Sequence, residues 1–216
     1  MAGPATLLRE QIQTALGSRC EAAFLTEKKI TRETLPSAVG EIPRGALIEI
    51  SGPASSGRTS LLNSLLAAAS CGQEFCALLD AEDTFDPESA AAAGVRLSQV
   101  LWVRCRGNVE HALKAADMLV QAGGFGLVAI DLGDTPGKVV RRIPLAAWFR
   151  LRHAVENTRT TLVVMAQQIH APSCSVLKIE LGRRRTLWKG LLNGLEAVAQ
   201  YLRNHRAQEC RFIISR

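Results

Sequence analysis

At 216 residues, 47% hydrophobic and 21% charged, with a mean hydropathy of +0.09, the chain has the length for one substantial core with small appendages. No apolar run approaches the roughly 20 residues a membrane helix needs, and Arg9 and Glu10 interrupt the stretch where a signal peptide needs an apolar core, so no membrane partner and a cytoplasmic location are expected. The net charge of +6 is uneven, because residues 1–137 hold 11 Lys+Arg against 16 Asp+Glu whereas residues 138–216 hold 15 against 4, and a basic C-terminal third is the footprint of a polyanion partner, nucleic acid first.

In chain order, Leu7, Leu8, Ile12 and Leu16 share helical spacing, and Gly17 is a stop for a short amphipathic helix. From Ser18 to Gly45 the pattern is irregular, punctuated by Pro36, Gly40, Pro43 and Gly45. Residues 1–45 therefore read as an N-terminal helix and lead-in segment, and residues 46–216 as a single core domain. A strand is expected over Ala46–Ser51, then a loop, a helix from about Thr59 to Ser70 and a buried strand over Phe75–Asp80. Asp86 at the N-cap, Pro87 at the first helical position and Glu88 in the first turn open a helix that runs to Gly94. Val100–Arg104 is a strand, Asn108 caps the next helix, Gly123 and Gly124 end it, and Leu127–Asp131 follows as a strand. Little then separates Asp131 from a helix over Leu145–Glu156, and Thr161–Ala166 has the nearly all-apolar character of a parallel strand covered on both faces.

This alternation gives an α/β fold with a mostly parallel sheet flanked by helices. The end of the chain breaks the rhythm. Ser175–Glu180 follows without an intervening helix and is expected as an antiparallel or edge strand. Leu191, Leu195, Val198 and Leu202 favour a helix by periodicity, and Cys210–Ser215 reads as a final strand. The six cysteines, Cys20, Cys71, Cys76, Cys105, Cys174 and Cys210, form no C-x-x-C pair and have no nearby histidine pair, so they read as buried small apolar residues.

The stretch from Gly52 to Ser60 carries the chemistry. Gly52, Pro53, Ala54, Ser55, Ser56, Gly57, Arg58, Thr59 and Ser60 match the pattern G-x-x-x-x-G-K-[ST] except that Arg58 stands in the lysine position. In such a loop backbone N–H groups wrap phosphates, the lysine reaches the β- and γ-phosphates and the following hydroxyl, here Thr59, holds Mg²⁺. Arg58 keeps the charge on a longer planar fork that cannot set one compact ammonium between two phosphates. Asp131 closes an apolar strand, the usual place for the residue that holds the Mg²⁺ shell, and Asp80-Ala81-Glu82-Asp83 supplies carboxylates able to activate a water.

These residues carry a resemblance. Gly45-Ala46-Leu47-Ile48-Glu49-Ile50 leading into Gly52–Gly57 resembles the lead and phosphate loop of the RecA recombinase family, Asp80–Pro87 resembles its Asp-Ala-Glu-His-Ala-Leu-Asp-Pro, and Gln167-Gln168-Ile169 resembles its Asn-Gln-Ile. The resemblance spans roughly residues 35–180 and implies a RecA-like P-loop NTPase core with antiparallel strands at its C-terminal end. It implies Glu82 as the water-activating glutamate, Gln168 as the γ-phosphate sensor coupled to DNA, Asp86 beside the nucleotide, and ATP with Mg as ligands. Arg203-Asn204-His205 is similar to a Lys-Asn-Lys stretch that reaches the neighbouring subunit's nucleotide, which implies a homo-oligomer and a hairpin over residues 197–215 in place of the helix.

The departures are coordinated. The family's adenine-stacking tyrosine falls at Ser89, both DNA-binding loops read as cut down, and the extra C-terminal domain is expected to be missing. Lys138, Arg141 and Arg142 in the first loop region, and Arg183, Arg184 and Arg185 beyond the second, remain to contact the phosphates of single-stranded DNA without reading bases. In length and in what it has lost, the chain is similar to accessory factors of the ImuA type that accompany error-prone polymerases in SOS mutagenesis. That resemblance implies a nucleotide- and DNA-binding platform in DNA damage tolerance with weak or no hydrolysis, partnered by RecA or by a polymerase-associated protein. The other reading is an active DNA-dependent ATPase of recombination that works with Arg58 through Glu82, Asp131 and Gln168.

Overall fold

The computed structural model describes residues 33–171, 173–189, 191–203 and 206–215; the helix expected over residues 5–16 and Cys20 lie outside them. The elements are β1 (Thr34–Ser37), β2 (Gly40–Pro43), β3 (Ala46–Ser51), α1 (Arg58–Cys71), β4 (Phe75–Asp80), α2 (Pro87–Ala92), β5 (Val100–Arg104), α3 (Val109–Ala122), β6 (Phe125–Asp131), α4 (Gly137–Val140), α5 (Leu145–Val155), β7 (Thr161–Ala166), β8 (Leu177–Lys189), β9 (Leu191–Arg203) and β10 (Arg206–Ser215). The main sheet has the order β10-β9-β8-β3-β7-β6-β4-β5. All its pairings from β8 to β5 are parallel, and β8-β9 and β9-β10 are antiparallel.

Sequence alternation explains how β3 serves two cores at once. Ile48 and Ile50 join α1, β1 and β2 in one buried cluster, while Leu47 joins α3 and α5 in the other. A central parallel strand with both faces covered has little room for polar side chains, and every residue of β3 and β7 is buried. The caps follow the sequence: Asp86 accepts from the N–H groups of Glu88 and Ser89, Asn108 accepts from His111 N–H, and Gly123 ends α3 with a φ of 71°. Among the described residues no helix is long and apolar enough to cross a membrane.

Four expectations are corrected. The irregular lead-in contains a hairpin, β1-β2, whose Leu35 and Ile42 are buried against α1. β8 pairs antiparallel with β9, as expected, but it is an interior strand whose other neighbour, β3, runs parallel to it, and no helix lies among the described residues between β7 and β8. The stretch 191–202 is β9 rather than a helix: among its residues whose burial is described, Ala197 and Ala199 are buried at period two, and Phe212 of β10 lies opposite Ala197. That is the hairpin reading. Finally, Cys76, Cys105 and Cys174 are buried, whereas Cys71 is exposed and Cys210 half-buried.

Candidate functional site

Parallel register brings the chemistry to one edge of the sheet. Ser51 pairs with Ala166, Asp131 with Met165, and Asp80 with Asp131, so the loop leaving β3 shares its edge with the carboxylates that end β6 and β4. In open parallel sheets this carboxyl edge is where ligands bind.

The loop is shaped by backbone. Ser55 and Gly57 hold φ values of 60° and 96°, and Ser56 N–H donates to the Pro53 carbonyl at 3.3 Å. A Cβ on Gly52 would lie 2.5 Å from Ser56 Oγ and 2.6 Å from the Leu181 carbonyl oxygen, so the first position admits only glycine. Ser56 is buried and its Oγ has no hydrogen-bond partner among the described residues, an orphaned group that a phosphate oxygen would satisfy. Helix α1 starts at Arg58 without a side-chain cap, which leaves its first N–H groups for an anion. Thr59 is exposed and Ser60 half-buried. The cradle therefore fits the phosphates of a nucleotide, and Thr59 and Asp131 are of the type that completes an Mg²⁺ shell.

The cation is engaged elsewhere. Arg58 is 8% exposed; its Nη1 donates to the Gly133 carbonyl at 2.7 Å and its Nη2 lies 3.7 Å from the Asp134 carboxylate. Asp131 Oδ1 accepts the Gly133 N–H at 2.8 Å, and the Thr135 hydroxyl donates to Glu82 Oε1 at 2.9 Å. The β6-α4 loop is thus tied from the phosphate loop by Arg58, from its own strand by Asp131, and from the β4 side by Glu82. Burial pushes the Asp131 carboxyl up to about 6, against the Gly133 N–H and the Arg58 charge, with the Asp80 charge adding to the rise.

Asp80 is occupied structurally, accepting from the N–H groups of Thr84 and Phe85 at 3.1 and 2.9 Å and from Trp102 Nε1 at 3.1 Å. Asp86 accepts from the Ser89 hydroxyl and from the Glu88 and Ser89 N–H groups, and the hydroxyl first of all holds its carboxyl below the usual range. Gln168 Oε1 receives a long bond, 3.5 Å, from Arg141 Nη1. Lys138, Arg141 and Arg142 lie on and just after α4, and all three are exposed. Arg183, Arg184 and Arg185 lie in β8 and Arg203 ends β9; His205 lies outside the described residues.

Two sets of functional neighbours escape sequence reasoning. Gly133, Asp134 and Thr135 bind Arg58 and Glu82, and their only local signal is the turn chemistry of Gly133-Asp134-Thr135-Pro136. Glu49, fully buried in the middle of β3, accepts the backbone N–H groups of His170 and Ala171, the latter at 3.1 Å to Oε1, and so fixes the crossover that follows Gln168. A lone carboxylate inside an apolar strand is its signal, because such groups are almost never buried without partners.

Residues 30–136 match the family model described as RecA N-terminal domain. Protein RecA of Chloroflexus aurantiacus is 32% identical over 143 residues, covering 60% of this chain and 40% of the relative. Protein RecA of Clavibacter michiganensis subsp. michiganensis is 34% identical over 143 residues, covering 60% and 39%, and that of Leifsonia xyli subsp. xyli is 34% identical over 143 residues, covering 60% and 40%. The chain spans about 40% of the length of these curated relatives.

Proposed function

Because the chain belongs to the RecA family, we propose that it is an accessory protein of DNA damage tolerance, acting in the cytoplasm in SOS-type translesion mutagenesis, whose core is a binding platform with weak or no ATP hydrolysis. In this reading residues 52–60 hold the phosphates of ATP, Thr59 and Asp131 hold its Mg²⁺, and Glu82 and Gln168 occupy the positions of the water-activating and sensing residues. The observation that carries the reading is the pair of bonds from Arg58 to Gly133 and from Thr135 to Glu82. The two side chains on which phosphoryl transfer would depend both hold the β6-α4 loop. Transfer chemistry needs charge aimed at the phosphates and a carboxylate free to orient a water.

Lys138, Arg141 and Arg142 lie beside this loop, and with the Arg183–Arg185 run they supply phosphate contacts for single-stranded DNA without sequence preference. Arg203 and His205 belong to an interface between copies in a homo-oligomer, and RecA or a polymerase-associated protein is the protein partner. The second reading, a DNA-dependent ATPase, is favoured by the presence of Glu82, Asp131 and the phosphate loop at one sheet edge.

Titration of a fluorescent single strand over a salt series tests the platform. Removing one arginine–phosphate interaction lowers the slope of log affinity against log salt by about 0.7 for single strands. Replacing Arg183, Arg184 and Arg185 by alanine is expected to lower affinity and to reduce the slope by about 2. An unchanged slope would remove those arginines from the interface.

A further inference from the structure

We propose that Gly133 and Asp134 are internal competitors of the bound phosphate: they hold the phosphate loop's cation outside the cradle, and a phosphate that recruits Arg58 releases the segment 132–142. The inference rests on the reading of residues 52–60 as a phosphate site. Arg58 is the only Lys or Arg between Gly52 and Ser60. Its guanidinium is seated in a buried position, with a short charge-assisted bond to the Gly133 carbonyl at 2.7 Å and Asp134 at 3.7 Å. With its two terminal nitrogens engaged by Gly133 and Asp134, the guanidinium must give up part of that seat to make a bidentate contact with a phosphate on the loop backbone. Ser56 Oγ, buried and unpartnered on the loop side among the described residues, marks the cradle as a site still lacking an acceptor or donor.

The exchange is electrostatically balanced in a way that favours the ligand. Asp134 has 58% of its side chain exposed, so water screens its hold on Arg58, whereas a polyphosphate on backbone N–H groups brings more charge into a drier place. When Arg58 leaves, the β6-α4 loop keeps Asp131 with Gly133 N–H and Glu82 with Thr135 but gives up its only tie to the phosphate loop among the described bonds. That loop runs directly into α4, whose flank carries Lys138, Arg141 and Arg142, and Arg141 reaches Gln168. Phosphate binding is thereby linked to the set of the basic surface.

Gly133 offers a substitution that breaks the seat without touching either charge. A Cβ there would lie 2.8 Å from Arg58 Nη1 and 2.9 Å from Asp131 Oδ1, so the Arg58 fork and the Asp131 carboxylate must both shift, and titration with pyrophosphate in the absence of Mg²⁺ separates the effect on Arg58 from that on Asp131. The experiment is calorimetric titration of the full chain with Mg-ATP and with pyrophosphate, for wild type, Asp134→Asn, Gly133→Ala, Arg58→Ala and Arg58→Ala/Asp134→Asn. Asp134→Asn is expected to bind about 2- to 5-fold tighter, the size of one screened ion pair, and Gly133→Ala tighter as well. Arg58→Ala is expected to bind more weakly, and to erase the gain from Asp134→Asn. Amide exchange over residues 132–142 is expected to quicken when Mg-ATP is added to wild type, and to be quick without ligand in Arg58→Ala. Wild-type affinity in both Asp134→Asn and Gly133→Ala would overturn the competition, and if Gly133→Ala does not fold, Asp134→Asn decides alone. Absence of binding by every variant and by wild type would instead overturn the phosphate site itself.

Discussion

A guanidinium and an ammonium solve different problems at the end of a phosphate loop. The planar fork of Arg58 has donors enough to serve Gly133 and Asp134 together, a geometry a single lysine nitrogen does not reproduce. Asp131, beside it, has a different conflict. Its carboxyl is raised by burial to about 6 from an ordinary 3.8, so folding favours the protonated form. The stabilising contribution of that proton is complete below about pH 4 and is lost as pH rises through 6. Asp131→Asn keeps an acceptor for the Gly133 N–H without the charge. It is expected to be more stable than wild type at pH 8 by on the order of 1 kcal/mol, about 2–4 °C in Tm, with the advantage gone at pH 4. Thermal denaturation across that range checks it, and a constant difference between the two proteins would contradict the assignment.

At the scale of elements, the segment 167–171 carries Gln168 just beyond the carboxyl end of β7, where its Oε1 accepts from Arg141. Glu49 reaches it from the middle of β3, accepting from His170 and Ala171; burial raises the Glu49 carboxyl, and these two N–H bonds and Lys178 oppose the rise. Glu49→Ala strands the buried N–H of Ala171 and the half-buried N–H of His170, and a cost of about 1–3 kcal/mol is expected from denaturant unfolding. Glu49→Gln, which retains an acceptor, is expected to cost less and to leave the crossover's amide exchange nearer wild type. Equal effects from both substitutions would mean that the side chain fills space and does not hold the loop.

The same elements show what the sequence could reveal. β3, β4, β5 and β7 are legible to the residue because short apolar runs end in serine, aspartate, arginine or alanine at clear boundaries. β9 misleads, since Leu191, Leu195, Val198 and Leu202 imitate a helix while the buried period-two positions are the small Ala197 and Ala199. β8 is longer than its apolar pattern suggests and pairs parallel with β3 as well as antiparallel with β9, because an arginine run does not announce a strand and a parallel crossover normally needs a helix. Glu82, Asp131 and Arg58 stand out by motif alone, but the bonds of Arg58 to Gly133 and of Glu82 to Thr135 are tertiary, made across more than fifty positions of chain, and no local pattern encodes them.

For the whole molecule, the carboxyl edge of the sheet carries the loop of residues 52–60 together with Asp131 and Glu82, and the proposed platform role rests on Arg58 and Glu82 both bonding the β6-α4 loop. The charge asymmetry, negative through residue 137 and strongly positive beyond it, is the global counterpart of this arrangement, because the basic excess lies after the β6-α4 loop that Arg58 holds. Steady-state ATP hydrolysis by the full chain, measured with and without single-stranded DNA and repeated with Glu82→Gln, tests the account most directly. Turnover near background, unchanged by DNA and by the substitution, is expected; DNA-stimulated turnover abolished in Glu82→Gln would contradict the platform role.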